Sequence, residues 1–560
     1  MAGGPIQLWN EWATQILVLL SFALQIFLFL FARTRRHGPS AVLKILLWLA
    51  YLMADSTAVY TLGHLSISGS PREQKLAVFW APFLLVHLGS QDTITAYALE
   101  DNKLWPRHLL NLSVQAFGVA YVLYKYIAEI PASLGLATGL MFVIGLIKYA
   151  ERIWALKRAN LDSILSSIRE PQALPIYYSE LPTRGAGVEE RDEEELLLFA
   201  QGMLPLCKGA IADLPLAFYK FVDFAIQPYS SYRLRWNCKA MCKVVEMELS
   251  LMYDILYTKA AVMHNWYGYC IRVFCPLVTV VAFILFQLSG NKDGYSRVDV
   301  GITYILLVGA FLLDMAAAFS AFGSTWTCSF LWTRGWSRLG LLILSLRRHF
   351  KAARGNRRWS RSIGQFNLFQ FCSHDKSKLS IRVARMMGLK DWWNKWQHSE
   401  TLVISEDVKE LLFKLVWQAL KEIHVPGAKY DANHTHEEEP MAMMPTACMS
   451  FGPESYEDTS RRRMKLDEAL GFGAELQEVI LTWHVFTDVF LLCRDMDTPK
   501  DNDATSSTYV KAIKALSNYN CFPHRYTPRH NTWSRATQHV RSNSRCFGCS
   551  MDYGWRVSIS

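Results

Sequence analysis

The chain has 560 residues, of which 51% are hydrophobic and 13% aromatic, and its formal net charge is +10. Its mean hydropathy is only +0.09, which excludes a chain built of membrane segments alone and indicates apolar blocks separated by polar regions. Because basic residues cluster beside the apolar runs, we interpret the charge as cytosolic loops and lipid-headgroup contact, and we expect no nucleic-acid partner. The 12 cysteines are scattered along the chain, which favours reduced thiols over a disulfide framework.

The apolar runs predict an all-α fold, a polytopic membrane protein with about seven spans and additional cytosolic helices. Residues 13–31 are uncharged and long enough for one span, and basic residues follow this run instead of preceding it. This order indicates a retained anchor with the N-terminus outside, not a cleaved signal peptide. The other predicted spans are residues 42–61, a segment that starts at residue 76, and residues 109–127, 131–148, 270–288 and 300–319.

The distribution of basic residues supports this topology. If the N-terminus lies outside, most of the arginines and lysines near span ends fall on the cytosolic side, as the positive-inside rule expects. Residues 326–346 are apolar but contain Arg334 and Arg338, so they are predicted to form an interfacial helix. The residues predicted to contact lipid headgroups are Arg33, Arg35, Arg36, Arg347, Arg348 and Lys351.

The third predicted span changes character along its length. Residues 76–108 begin as an apolar, aromatic segment and become polar from His87 onward, which predicts a membrane helix with a polar half. In hydrocarbon such groups cost several kcal/mol unless they face protein or water, so they mark a functional site by default. The candidate polar intramembrane site comprises Asp55, His87, Gln91, Asp92, Thr93 and Asp314.

Two interpretations of these carboxylates stay open. They could mark an ion or proton pathway, or each could be neutral or paired within a polar packing network. His87 and Asp92 have the H-x-x-x-x-D spacing of acyltransferases that act on lipids. On one continuous helix the two side chains lie roughly 140° apart and could not share a proton, although a break at Gly89 would alter this.

No other pattern predicts chemistry. The single pair Cys546 and Cys549 lacks a matching second pair of metal ligands, and no P-loop or serine nucleophile elbow occurs. We therefore expect no catalytic residue, no metal site and no cofactor, and we interpret the chain as a non-enzymatic protein.

The pattern divides the chain into five regions. Residues 1–148 form an N-terminal bundle of five spans, and residues 149–269 a cytosolic helical region. Residues 270–346 contain two spans and the interfacial helix, residues 347–519 a second cytosolic helical region, and residues 520–560 a disordered tail. Within the second cytosolic region, helices are predicted over residues 405–423 and 466–493, with a linker over residues 430–457.

Four strings resemble one plant family. They are FWAPFLLVHLGSQDTITAYALEDNKLWPRH (residues 79–108), LSLMYDILYTKA (249–260), ILTWHVFTDVFLLC (480–493) and KALSNY (514–519). Together they resemble the plant membrane proteins defined by domain of unknown function 4220, usually followed by domain of unknown function 594. After residue 519 the chain departs from that pattern, so the second domain looks truncated or replaced. The resemblance implies a multi-pass plant membrane protein without an established activity.

From these features we expect a multi-pass membrane protein that binds protein partners through its cytosolic helices or organises a complex in the lipid bilayer. The alternative is a transporter or channel that uses Asp55, Asp92 and Asp314. An inverted repeat would favour transport, but none is visible in the order of the spans. The plasma membrane and an endomembrane both stay open.

Overall fold

A computed structural model of the chain separates into two compact units. The first comprises residues 1–232 and 243–360, and the second comprises residues 233–242 and 361–560. The structure describes residues 5–37, 40–67, 75–126, 130–169, 193–211, 238–289, 295–350, 362–367, 399–424 and 504–521, together with residues 352, 386, 484, 486–488, 490 and 491.

The first unit is a bundle of helices. In chain order these are α1 (Pro5–Phe31), α2 (Ala41–Ile67), α3 (Lys75–Leu88), α4 (Trp105–Tyr126), α5 (Ala132–Arg158), α6 (Leu161–Arg169), α7 (Glu193–Ile211), α8 (Cys238–Tyr257, in this unit from Lys243 onward), α9 (Ala260–Met263), α10 (Trp266–Leu288), α11 (Arg297–Phe322), α12 (Thr325–Thr333) and α13 (Ser337–His349). Short 3-10 helices follow α1 at Ala32–His37 and precede α4 at Leu99–Leu104.

Five helical segments of this unit are long and apolar enough to cross a membrane. They are Trp12–His37, Ala41–Leu65, Ala132–Arg158, Trp266–Leu288 and Arg297–Phe322. They support the prediction of a multi-pass α-helical membrane protein. The predicted count of about seven is not confirmed, because α3 has only 14 residues and α4, with 22, is too polar to qualify.

Helix α3 forms the centre of the bundle. It packs against α5, α2 and α4, and its large side chains Phe79, Trp80 and Phe83 are fully buried. A helix that is apolar on all sides is stable only where protein surrounds it, whereas an outer helix can leave one apolar face exposed. Leu277 on α10 and Leu312 on α11 are such exposed residues, and we interpret their faces as lipid-facing.

The prediction of one helix with a polar half over residues 76–108 is wrong, because α3 ends at Leu88. Gly89 lies so close to α5 that a Cβ atom there would be 2.8 Å from the Cβ atom of Lys148. Ser90 then adopts a left-handed conformation with φ +57°, and its hydroxyl donates a hydrogen bond to the carbonyl of Ile94 at 2.7 Å. The close packing and this turn end the helix, and residues 89–98 continue as an irregular segment.

The predicted interfacial helix over residues 326–346 is interrupted in the structure. Helices α12 and α13 are separated by a turn at Gly335, whose φ of +78° is a conformation that favours glycine. The sixth predicted span begins earlier than expected, since α10 starts at Trp266 instead of residue 270.

Helices α7 and α8 lie in the region predicted to be cytosolic. They contact each other through the thiol of Cys207, which donates a hydrogen bond to Glu248 Oε2 at 3.0 Å. Burial raises the pKa of the Glu248 carboxyl and also that of the Cys207 thiol. Helix α7 is also joined to α13, through salt bridges from Arg347 and Arg348.

The second unit contains a two-stranded antiparallel sheet, β1 (Ser362–Phe366) and β2 (Ser399–Val403), in which Gly364 lies opposite Thr401. Its helices include α14 (Glu406–His424) and α15 (Ala504–Cys521). The α14 helix confirms the helix predicted over residues 405–423. Gln365 donates a hydrogen bond to the Ala515 carbonyl at 3.0 Å and so joins β1 to α15.

Several predictions for the C-terminal part fall largely outside the described residues. These are the linker over residues 430–457, most of the helix over residues 466–493, and residues 522–560 of the predicted tail. At the start of that tail the prediction of disorder is wrong, because α15 includes Asn520 and Cys521.

Candidate functional site

Four charged side chains meet inside the membrane bundle, and we call them the ion-pair cluster. Asp92 comes from the irregular segment after α3, Glu151 from α5, Lys259 from the residue before α9, and Arg272 from the second turn of α10. Three of them are at most 4% exposed: Glu151, Lys259 and Arg272.

Each carboxylate of the ion-pair cluster contacts both cations. Arg272 donates hydrogen bonds to Asp92 Oδ2 at 2.8 and 3.1 Å and to Glu151 Oε1 at 2.7 Å. Lys259 Nζ lies 3.4 Å from Asp92 Oδ1 and 3.3 Å from Glu151 Oε2. Two negative and two positive charges therefore balance, which compensates part of the large cost of burying charge away from water.

Backbone hydrogen bonds hold the cluster to the end of α8. Thr95 donates its backbone N–H to the carbonyl of Tyr257 at 2.9 Å, and Lys259 donates its own to the carbonyl of Asp92 at 3.3 Å. The buried amide of Asn102 donates to the carbonyl of Leu256 at 3.0 Å. The irregular segment and the 3-10 helix that follows it thus satisfy carbonyls at the C-terminus of α8, which the helix itself leaves unpaired.

Two further ion pairs flank the cluster. Arg152 donates to both carboxylate oxygens of Asp55, at 2.7 and 2.9 Å, and to the carbonyl of Leu88 at the end of α3 at 2.8 Å. Lys148 donates a hydrogen bond to Asp314 Oδ1. These pairs join residues from different helices, so they fix α5 against α2, α3 and α11.

A small polar cavity lies between these groups. The volume that the centres of water molecules can occupy in this cavity is about 40 Å³. A single water needs roughly 10–15 Å³ on this measure, so the cavity has room for a few waters and not for an organic substrate. Its polar lining consists of His87, Ser90, Gln91, Asp92, Lys148, Glu151, Lys259, Arg272, Cys275 and Asp314.

The structure brings four of the six residues of the predicted polar site to this cavity: His87, Gln91, Asp92 and Asp314. The other two, Asp55 and Thr93, do not line it. Thr93 is buried, and its hydroxyl has no hydrogen-bond partner within the described residues.

His87 and Asp92 do not form a proton-sharing pair. His87 Nδ1 is hydrogen-bonded to the hydroxyl of Ser21 on α1 at 2.9 Å, whereas Asp92 is bound by Arg272 and Lys259. Gln91 donates to Gln25 Oε1 at 3.2 Å, also on α1. The acyltransferase-like spacing therefore corresponds to two separate interactions. The described residues contain no group of three or more His, Cys, Asp or Glu side chains arranged to hold a metal ion.

All five arginines predicted to contact lipid headgroups have protein partners in the structure. Arg33 donates to Ser320, Arg35 to the carbonyl of Tyr97, and Arg36 is buried and pairs with Asp254 at 3.1 Å. Arg347 pairs with Glu194 and Arg348 with Glu195, each at 2.9 Å. Lys351 lies outside the described residues. Headgroup contact stays a prediction for all six.

The cationic half of the site, Lys148, Arg152, Lys259 and Arg272, was not predictable from the local sequence pattern. Lys148 and Arg152 lie at or just after the end of the fifth predicted span and Arg272 lies near the start of the sixth, and a cation near a span end has the same local pattern whether it faces water or protein. Glu151 carried a usable signal, since an acidic residue within a basic flank at the end of an apolar helix indicates a buried partner. Lys259 had no such signal.

The fold and this site define a multi-pass α-helical membrane protein with a buried, charge-balanced group of side chains around a water-sized cavity. A family model described as Domain of unknown function (DUF4220) matches residues 48–372, more than half of the chain. The chain belongs to this family, and the resemblance inferred from its sequence strings is confirmed to that extent. No match is found among the curated proteins, and none among the solved structures.

Proposed function

We propose that the chain is a non-enzymatic membrane protein that holds a helical surface at the cytosolic face of the bilayer, where protein partners bind. The observation that carries this proposal is the junction at the end of α8. Lys259 lies two residues after the end of α8 and is paired with Asp92 and Glu151 of the membrane bundle. These ion pairs hold the C-terminal end of α8 in a fixed position relative to the spans.

Other ion pairs support the same proposal. Arg36, after α1, pairs with Asp254 on α8, and Arg347 on α13 pairs with Glu194 on α7. Helix α8 is thus attached to the end of the first span, and α7 is attached to α13. A pre-organised surface loses little conformational entropy when a partner binds, which favours a binding or organising role.

Affinity purification tests this function. The tagged full-length chain is extracted from membranes in mild detergent, and the recovered proteins are quantified by mass spectrometry for the unmodified chain and for Lys259→Met. We expect a defined set of partners with the unmodified chain and a several-fold loss with Lys259→Met, which breaks the junction.

The matched control is Lys414→Met. Lys414 pairs with Glu410, the two side chains are 71% and 52% exposed respectively, and such exposed ion pairs contribute little to stability. Its partner set should equal that of the unmodified chain. Purification that recovers no stable partner contradicts the proposal, as does full recovery with Lys259→Met in correctly folded protein.

The second candidate is a transporter or channel that uses the intramembrane carboxylates. The specific observation in its favour is the irregular segment at residues 89–98. Non-helical backbone at membrane depth is tolerated where it is enclosed by protein or lines a water-filled cavity, and this segment supplies Asp92 to a polar cavity with room for a few waters.

Flux measurements in proteoliposomes test this candidate. Asp55→Asn, Asp92→Asn and Asp314→Asn are compared with the unmodified chain for small inorganic ions and protons. Transport through the site predicts flux in the unmodified chain that falls at least tenfold in Asp92→Asn and Asp314→Asn. Absent flux, or flux equal in all four proteins, excludes the candidate.

Finer features of the chain also remain proposals. The positive-inside pattern supports an outside N-terminus, and counting α3 and α4 as membrane segments gives about seven in total. The quoted strings support a plant origin and a shortened domain of unknown function 594. Cysteine labelling from either side of sealed vesicles tests the orientation.

A further inference from the structure

Helix α13 has one face held by protein and one face exposed. On the inner face Leu344 is buried, and a Cβ atom at Gly340 would lie 3.0 Å from Nε1 of Trp332, so α13 and α12 are in close contact there. Salt bridges from the last turn join α13 to α7. The exposed face carries a row of apolar side chains at helical spacing, which we call the outer stripe. Its members are between 49% and 75% exposed: Trp336, Leu339, Leu342, Leu346 and Phe350.

The end of α13 contacts the end of a helix that is long and apolar enough to cross the membrane. Arg347 donates a hydrogen bond to the carbonyl of Gly323, the residue that follows α11. With 13 residues α13 rises only about 20 Å, less than the roughly 30 Å hydrocarbon core, so it cannot cross the membrane by itself. A short helix with an exposed apolar face, fixed at the level where a span ends, is placed to lie in the plane of the membrane interface.

Two arginines beside the outer stripe have no acidic partner within the described residues. Arg334 and Arg338 are both exposed, and the guanidinium of Arg334 lies over the ring of Phe330, 5.6 Å from its centroid. Arg347 and Arg348 differ from them, because carboxylates of α7 bind their guanidinium groups. Guanidinium groups that are free of carboxylates and stand next to an apolar surface complement a lipid surface, in which anionic headgroups lie above acyl chains.

We propose that α13 binds the membrane surface, with the outer stripe among the acyl chains and with Arg334 and Arg338 on the headgroups of anionic lipids. The occupant is a lipid surface and not a protein groove, because α11, whose end α13 contacts, also exposes the large apolar side chains Phe319 and Phe322 in its last turn. This inference goes beyond both functional proposals, since lipid binding requires neither a partner on α7 and α8 nor transport.

Photo-crosslinking of the full-length chain in lipid vesicles tests the proposal. The chain carries the change Leu342→p-benzoylphenylalanine and is reconstituted into an equal mixture of phosphatidylcholine and phosphatidylserine, and the adducts formed under light are identified by mass spectrometry. We expect lipid adducts in which phosphatidylserine is enriched over phosphatidylcholine. The same change at Leu312, an exposed position within α11, is the matched control, and its adducts should contain the two lipids in the proportion of the vesicle.

Neutralising the arginines separates headgroup binding from burial of the stripe. Arg334→Gln and Arg338→Gln should each lower the phosphatidylserine enrichment at Leu342 by up to about fivefold, and the double variant should match the Leu312 control. Arg297→Gln is the control for these changes, because Arg297 is exposed at the opposite end of α11, and it should leave the enrichment unchanged.

Three results overturn the proposal. They are the absence of lipid adducts at Leu342, with or without a protein adduct, a phosphatidylserine share equal to that at Leu312, and enrichment that persists in the double variant. All of the changed side chains are exposed, and lipid adducts at Leu312 show that the chain is inserted in the vesicle. None of these results alters the partner-binding test, which reads out recovered proteins.

Discussion

Replacing Glu151 by Gln tests how much the ion-pair cluster stabilises the bundle. The Glu151 carboxylate accepts a hydrogen bond from Arg272 at 2.7 Å and lies 3.3 Å from Lys259 Nζ, and it is 4% exposed. The amide of Gln retains an acceptor but removes the negative charge. Two buried cations then share only Asp92, and the cluster has one uncompensated positive charge.

The magnitude follows from this charge balance. Removing one partner from a buried ion pair typically costs about 3–5 kcal/mol, because the remaining charge is left unpaired away from water. Since Gln can still accept a hydrogen bond from Arg272, we expect a loss near the lower end, about 3 kcal/mol. Adding Lys259→Met restores the balance between Asp92 and Arg272, and the double variant should recover at least about 1 kcal/mol relative to additivity.

Thermal unfolding in detergent with a thiol-reactive dye measures these effects. Cys275 and Cys328 are buried and free, so they react as the bundle opens, and the exposed Cys270 sets the baseline. Asp162→Asn is the control, because Asp162 is exposed, and its change should stay within about 0.5 kcal/mol. If Glu151→Gln unfolds like this control, or if the double variant loses the sum of the single losses, the cluster does not stabilise the bundle as argued.

Three further predictions concern single positions. Gly89→Ala places a Cβ atom 2.8 Å from the Cβ of Lys148, so it should destabilise the bundle by about 1–3 kcal/mol in the same dye assay. An unchanged unfolding midpoint would show that α3 and α5 can separate freely. Burial raises the pKa of Glu248, so the folded chain binds that proton more tightly than the unfolded chain, and stability falls as pH rises above about 4.5. Glu248→Gln should therefore unfold at a higher temperature than the unmodified chain at neutral pH, and at a similar temperature in acid. Equal unfolding midpoints of the two proteins at both pH values would contradict this. Asn102→Ala removes the hydrogen bond to the Leu256 carbonyl and should cost about 1–3 kcal/mol, with faster hydrogen exchange at the end of α8 as the second measurement.

The sequence was sufficient to predict the helices whose pattern is local. Apolar runs define α1, α2, α5, α10 and α11, and the periodicity of residues 405–423 defines α14, because burial in lipid or against protein selects the same residue types along a whole helix. It also indicated that Asp92 and Asp314 belong to one polar site, since charged groups at membrane depth must meet protein or water.

The pairing of charges was not predictable from the sequence. Asp92 and Arg272 are 180 positions apart, and Asp55 and Arg152 are 97 apart, so no local pattern relates them. The end of α3 was missed for a similar reason. Gly89 is required by the approach of Lys148, a contact that depends on how α3 and α5 pack.

The separation of the charged partners along the chain has a consequence for biogenesis. Helix α3 rises only about 21 Å over its 14 residues, less than the roughly 30 Å hydrocarbon core, so it is a poor substrate for insertion by itself. Asp92 and Glu151 leave the ribosome well before Lys259 and Arg272 are synthesised, and until then the nascent chain holds two acidic side chains without their cations. The ion-pair cluster therefore cannot form before Lys259 and Arg272 are synthesised, and a chain truncated before Lys259 should remain a substrate for membrane quality control.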